Sequence, residues 1–240
     1  MADLRELFDA TTCVLFDFDG PVCRLFAGYP AAGVAADLVD WLRRRGQADL
    51  LSEDDARSGD PHAVLRAVAL TAPGSEFLAE LESQLTGHEL RATETAEPTP
   101  DADALIEALR RRGYGLAITT NNSAAIVERY LTARGLVDCF GPHLHGRTRD
   151  LLRLKPDPDC LLRALDSTGV AAGRALMIGD TPADCVAARK AGVAFVGYAR
   201  NERKRKLLLG VGATTIVPSM RPVLDAVRRQ QGLPGARAEQ

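Results

Sequence analysis

The stretch Cys13-Val14-Leu15-Phe16-Asp17-Phe18-Asp19-Gly20-Pro21 constrains this chain more than any other. A four-residue apolar run stops at two aspartates one residue apart, and a Gly-Pro breaker follows. A short apolar run closed by a turn signal predicts a buried strand. Residues i and i+2 of a strand face the same side, so Asp17 and Asp19 converge at its C-terminal tip. Open α/β sheets bind their ligands at such tips. Two close carboxylates repel unless a cation or a shared proton compensates. A hard divalent cation such as Mg2+, which takes oxygen ligands, is one solution. It leaves one carboxylate for nucleophilic attack and the other for proton transfer. A solvated Asp-Gly turn is the other reading, because both are ordinary turn residues.

From about Arg24 to Glu97 the periodicity is helical. It predicts helices over 31–45, from Ser52, from Asp60-Pro61 and over 75–90, with no strand between them. A helical block ahead of the next strand signal predicts an inserted module. Beyond Pro98-Thr99-Pro100 strands and helices alternate. The helices are expected over 101–112, 123–134, 157–168, 181–191 and 220–229. The strands are expected over 115–120, 138–141, 175–178, 194–197 and 214–217. Repeated strand-helix units predict an α/β, doubly wound, parallel sheet. Its domain comprises 1–23 and 98–240, and the helical block 24–97 forms a second domain. The polar tail over 232–240 is expected to fray.

The chain has 240 residues and a formal net charge of -2, so nothing global points to nucleic acid or an anionic membrane. Five cysteines without a CxxC pair predict free thiols in a reducing compartment. The first residues lack an apolar signal core, and no run of about eighteen apolar residues exists. A cytoplasmic protein is the expectation, and no feature encodes an oligomeric state.

Three later segments also end in polar residues. Thr119-Thr120-Asn121-Asn122 closes a predicted strand, where a hydroxyl and free N–H groups suit a phosphate oxygen or a plain helix cap. Lys155-Pro156-Asp157 sets a lysine ahead of a helix opened by Pro156, either aimed at the sheet edge or solvated. Gly179-Asp180-Thr181-Pro182-Ala183-Asp184 sets Asp180 at a strand tip and Asp184 one helical turn on. The pair suits a metal ligand with its support, or Asp180 serves as an N-cap.

This ordered set, with Ala187-Ala188-Arg189-Lys190-Ala191-Gly192 after it, resembles the haloacid dehalogenase-like hydrolase superfamily from Cys13 to Val217. The resemblance implies a Rossmann-like core with a helical cap, as in phosphoglycolate phosphatase-like members. It implies a Mg2+-dependent phosphatase acting on a small phosphorylated metabolite. Asp17 is then the nucleophile that becomes an aspartyl-phosphate. Asp19 is the acid and base, and its backbone carbonyl binds metal. Thr120 and the Asn121 N–H hold the phosphoryl group, and Lys155 neutralises charge. Asp180 completes the metal site, with Asp184 ligating or orienting from behind. Dehalogenases of the superfamily lack the second aspartate, so Asp19 favours phosphate chemistry. Pro21 departs from the Thr common in its phosphatases and removes a backbone donor. A phosphomutase or phosphotransferase, or a non-catalytic phospholigand-binding member, is the alternative.

The other polar features have plainer readings. Arg43-Arg44-Arg45 complements a helix dipole, and Arg203-Lys204-Arg205-Lys206 reads as a solvated face. Arg24, Arg57, His62 and Arg66 are undifferentiated candidates for substrate contact in the cap. His88, His143 and His145 read as structural or exposed, and Trp41 as packing.

Overall fold

A computed structural model of the chain describes residues 4–230. The tail expectation over 232–240 therefore lies outside the described residues, as do the outermost residues of the 1–23 and 98–240 segments. The chain begins with α1 (Leu4–Ala10), β1 (Cys13–Phe16) and β2 (Cys23–Arg24). Four helices follow: α2 (Ala31–Arg44), α3 (Glu53–Arg57), α4 (Pro61–Thr71) and α5 (Glu76–Ala92). Next come β3 (Glu97–Pro98), α6 (Ala102–Arg111), β4 (Gly115–Thr119), α7 (Ala124–Ala133), α8 (Val137–Phe140) and β5 (Leu144–His145). The last elements are α9 (Asp159–Thr168), β6 (Ala175–Gly179), α10 (Pro182–Ala191), β7 (Ala194–Tyr198), α11 (Glu202–Gly210), β8 (Ile216–Val217) and α12 (Arg221–Arg229).

Six strands form one parallel sheet in the order β5-β4-β1-β6-β7-β8. All four residues of β1 are fully buried, because helices cover both faces of the sheet and leave no solvent side to alternate with. Val14 and Phe16, with Leu116, Ile118, Leu176 and Ile178, pack with α6, α7 and α12. Cys13, Leu15, Ala117, Ala175 and Met177 pack with α9 and α10. The alternation along each strand yields a three-layer, doubly wound α/β sandwich, as the strand-helix repeat predicts. The strands after β1 lie on one side as β4 and β5 and on the other as β6, β7 and β8. The tips of β1, β4 and β6 thus surround a topological switch point.

The helices α2 to α5 bury Leu38, Leu42, Leu65, Val68, Leu81 and Leu85 against one another. Ser52, Asp60 and Ser75 cap three of them, accepting the N–H groups of Asp55, His62 and Leu78. Each such cap stabilises a helix by about 1 kcal/mol. Leu151 and Leu154, from the segment before α9, complete this apolar cluster.

The structure corrects several expectations. Residues 138–140 lie in the single turn of α8, with Gly141 as its C-cap, and form no strand. A stretch of four residues is too short to distinguish the two, and the helical turn sets Phe140 edge-on against Phe16, with centroids 6.3 Å apart. The 24–97 block is not free of strand: β2 and β3 pair antiparallel, Cys23 with Pro98 and Arg24 with Glu97. Two-residue strands carry no readable period. Pro156 does not open α9; the helix begins at Asp159, whose N–H bonds Asp157 Oδ1 at 3.0 Å. The helix α1, unread in the sequence, is anchored by buried Phe8 edge-on to Tyr114. The five cysteines are free thiols, and no helix among the described residues is long and apolar enough to cross a membrane.

Candidate active site

The sheet holds Asp17 in place at the end of β1, where its N–H still bonds Ile178 O at 2.9 Å. Its carboxylate is reached by Lys155, whose Nζ lies 2.8 Å from Asp17 Oδ1, 2.6 Å from Asp184 Oδ1 and 2.9 Å from Thr119 O. Burial pushes the Asp17 carboxyl up, Asp184's charge adds to that, and Lys155 pulls it down; the outcome is about 6. One lysine is not enough to hold this carboxylate in its usual range. Burial lowers the Lys155 ammonium, but Asp17 and Asp184 more than offset it, and its pKa is raised.

Asp184 is oriented by a reciprocal cap at the start of α10. Thr181 Oγ1 accepts Asp184 N–H at 3.3 Å and donates to Asp184 Oδ2 at 2.7 Å. The same Oδ2 accepts the N–H groups of Asp180 and Thr181, at 3.1 and 2.9 Å. Thr181, not Asp180, is therefore the N-cap, and the Asp180 carboxylate is left to the cleft. Asp180 Oδ2 contacts Lys204 Nζ, and its Oδ1 is buried with no hydrogen-bond partner. Gly20 makes room for this carboxylate: its φ is +116°, and a Cβ there would lie 2.4 Å from Asp180 Oδ2.

Asp17, Asp180 and Asp184 each bring a carboxylate oxygen within 4.8 Å of the others. Asp19 lines the same cleft, but its Oδ1 accepts Leu25 N–H at 2.9 Å, and its side chain stands apart from that trio. Burial raises the pKa of the Asp19 carboxyl. Lys155 and Lys204 meet these carboxylates directly. The all-oxygen donor set and the unpartnered Asp180 Oδ1 fit a hard divalent cation. The turn carrying Pro21 closes without its missing N–H: Gly20 N–H bonds Cys23 O, and the Val22 and Cys23 N–H groups bond Phe18 O.

Thr120 and Asn121 also line the cleft. The Thr120 hydroxyl donates to Asn122 Oδ1 at 2.9 Å and accepts Asn122 N–H at 3.1 Å. The Asn121 amide clamps the Lys155 backbone, accepting its N–H at 2.7 Å and donating to its carbonyl at 3.3 Å. Of the four candidates in the helical block, Arg24, His62 and Arg66 reach the cleft, whose volume is about 770 Å³. Arg57 does not; it pairs at the surface with Glu53 at 2.9 Å.

Lys204 is the clearest departure from the sequence reading. The run 203–206 was expected to be solvated, yet Lys204 turns into the cleft beside Arg200 and Arg203. The available signal was Asn201, a helix cap just past a strand tip, which places the basic run in a first helical turn. Asn122 and Glu89 were also missed. Glu89 of α5 is fully buried and accepts from Asn122 Nδ2 at 2.9 Å, Ser123 N–H at 3.2 Å and Arg147 at 2.6 Å. No local pattern marks a contact between such distant segments. His88 bonds the Tyr29 hydroxyl, and His143 and His145 bond Ser167; none of the three lines the cleft. Trp41 lies under the Arg45 guanidinium, as packing.

Comparison with known proteins places this architecture among relatives. The haloacid dehalogenase-like hydrolase family matches residues 11–192. A phosphoglycolate phosphatase of Rhodospirillum rubrum is 32% identical over 210 residues, covering 78% of this chain and 80% of that protein. The crystal structure of a predicted phosphatase from Clostridium acetobutylicum superposes with a TM-score of 0.65 at 19% identity, over 92% of this chain and 99% of that one. A predicted phosphoglycolate phosphatase from Haemophilus somnus gives 0.65 at 19% identity, over 90% and 97%. These two structures share the fold.

Proposed function

This chain belongs to the haloacid dehalogenase-like hydrolase family, and from that premise we propose that it is a Mg2+-dependent phosphatase of small phosphomonoesters. The observation that supports this most is the convergence of Asp17, Asp180 and Asp184 within 4.8 Å, with Lys155 between Asp17 and Asp184. It lies at the C-terminal ends of the central strands, where such folds bind ligands. Phosphoryl transfer asks mainly for positioning and charge neutralisation, which this cluster supplies.

A carboxylate oxygen of Asp17 attacks phosphorus, and the bond to the ester oxygen breaks. Asp19, which titrates high through burial, gives its proton to the departing alkoxide. It then takes a proton from water as that water attacks the aspartyl-phosphate, releasing inorganic phosphate and restoring Asp17. Lys155 balances charge on Asp17 and the phosphoryl oxygens, with Thr120 and the Asn121 N–H beside them. Asp17, Asp180 and the Asp19 carbonyl would hold Mg2+, with Asp184 ligating or orienting from behind, and the bound ion would supply further positive charge. Residues 24–97 act as a cap that closes over the cleft and selects the substrate through residues such as His62 and Arg66.

The test is Mg2+-dependent phosphate release from an aryl phosphate and from a panel of phosphometabolites, phosphoglycolate among them because a relative carries that name. Asp17→Asn is expected to lower the rate by at least about a thousandfold, as loss of a nucleophile does. A wild-type chain inert on the whole panel, or an equally active variant, overturns the reading. A bisphosphate-activated isomerisation would replace it with a mutase.

A further inference from the structure

Arg203-Lys204-Arg205-Lys206 stands at the start of α11, the end of a helix that favours anions. Helix stability does not account for a basic run there. Leu208 is fully buried and packs so closely on β7 that a Cβ at Gly197 would lie 2.8 Å from its Cδ1. That contact sets the rotation of α11, and the residue one turn earlier on the same face is Lys204. Arg203 and Arg205 are exposed, while the Lys204 ammonium meets Asp180, whose side chain is 3% exposed.

We infer that Lys204 is a tethered counter-ion of Asp180 that a divalent cation must displace, so that Lys204 sets cation affinity and is then turned toward the anionic substrate. The inference rests on the metal-dependent reading of the site. Two lysines serve the carboxylates, and they differ in how firmly they are held. Lys155 lies among Asp17, Asp184 and the Thr119 carbonyl and is 3% exposed. Lys204 contacts Asp180 alone, with the charges of Asp19 and Asp17 also acting on it, and is 27% exposed, with the cleft beside it. A cation taken by the unpartnered Asp180 Oδ1 would share one carboxylate with an ammonium, and like charges at that range repel strongly in a partly buried site. The four-carbon stem of lysine lets the ammonium swing away without disturbing α11. Arg200 and Arg203 already line that part of the cleft, so the displaced ammonium joins a basic wall suited to an anionic ligand.

The test is calorimetric titration of Mg2+ into the wild-type chain and into K204Q, K204M and K204R, without substrate. Lys204 is partly exposed, so the variants are expected to fold, which a melting curve checks. K204Q and K204M should bind Mg2+ at least about tenfold more tightly than wild type, by loss of the competing charge; K204R should stay near wild type. Equal or weaker binding in K204Q and K204M overturns the inference, and so does an equal gain in K204R. Hydrolysis is scored separately. Tighter binding by K204Q without phosphate release from any protein leaves the counter-ion role standing and removes the phosphatase reading. Phosphate release with unchanged Mg2+ affinity does the reverse. Absence of Mg2+ binding by all four proteins removes both.

Discussion

Asp180 is placed less by its own neighbours than by what surrounds it. Thr181 takes the N-cap role that Asp180 was free to fill, and Gly20 leaves the space its carboxylate needs. Gly20→Ala brings a side chain into a φ of +116°, with its Cβ 2.4 Å from Asp180 Oδ2. Such a backbone position costs an ordinary residue about 1–3 kcal/mol. The variant is expected to melt lower and to bind Mg2+ more weakly, read by calorimetry. Wild-type values for both would mean that the turn simply moves aside. At this scale much was legible. The meeting of Asp17, Lys155, Asp180 and Asp184 was readable because each follows or precedes a predicted element at a fixed offset. The geometry of Asp19 was not, because the bond from Leu25 comes from a ribbon too short to show in the sequence.

The helix α10 joins secondary structure to the site through its first turn. The Thr181–Asp184 cap satisfies the helix end and also fixes which Asp184 oxygen faces Lys155. Thr181→Ala is expected to cost about 1 kcal/mol as a lost cap, which lowers Tm by about 2–4 °C in a chain of this size. It should also weaken Mg2+ binding, because Asp184 Oδ2 loses a donor and turns more freely. A thermal scan with a cation titration checks both; a Tm loss with unchanged cation affinity would confine Thr181 to helix stability. Element order was mostly readable, since polar caps and glycine stops are local signals: Ser52 and Asp60 cap helices at the starts they mark, and Ser75, expected inside its helix, caps it instead. The misread element, α8, is a four-residue stretch whose form depends on where Phe140 finds its partner.

Across the molecule, the helices α2 to α5 and the rest of the chain are tied by charge as well as by apolar contact. Glu82, Thr86 and Glu89, along one face of α5, bond Arg147 from the segment after β5. Removing one partner of a buried pair costs about 3–5 kcal/mol, so Glu89→Gln should be destabilised by about that much at neutral pH. Burial raises the Glu89 carboxyl, but His62, whose Nε2 lies 3.4 Å away, and the Arg147 charge outweigh it and hold it at about 2, below the usual 4.5. A depressed folded pKa stabilises above the unfolded value and is lost as pH falls toward the folded one. The gap between wild type and Glu89→Gln should therefore be flat above about pH 4.5 and shrink toward pH 2. Urea midpoints across that range measure it, and a gap independent of pH would refute the assignment. By itself the sequence determined the alternation of strands and helices, the run of helices between the first strand and the next, the acids at the strand tips and the lysine ahead of α9, because periodicity, capping and breakers act within a few residues. Only the tertiary structure decided that Lys204 meets Asp180, and that Glu89 meets Arg147 across 58 residues of chain. Both pairings follow from how buried side chains such as Leu208 set the rotation and seating of whole helices, which no local pattern specifies.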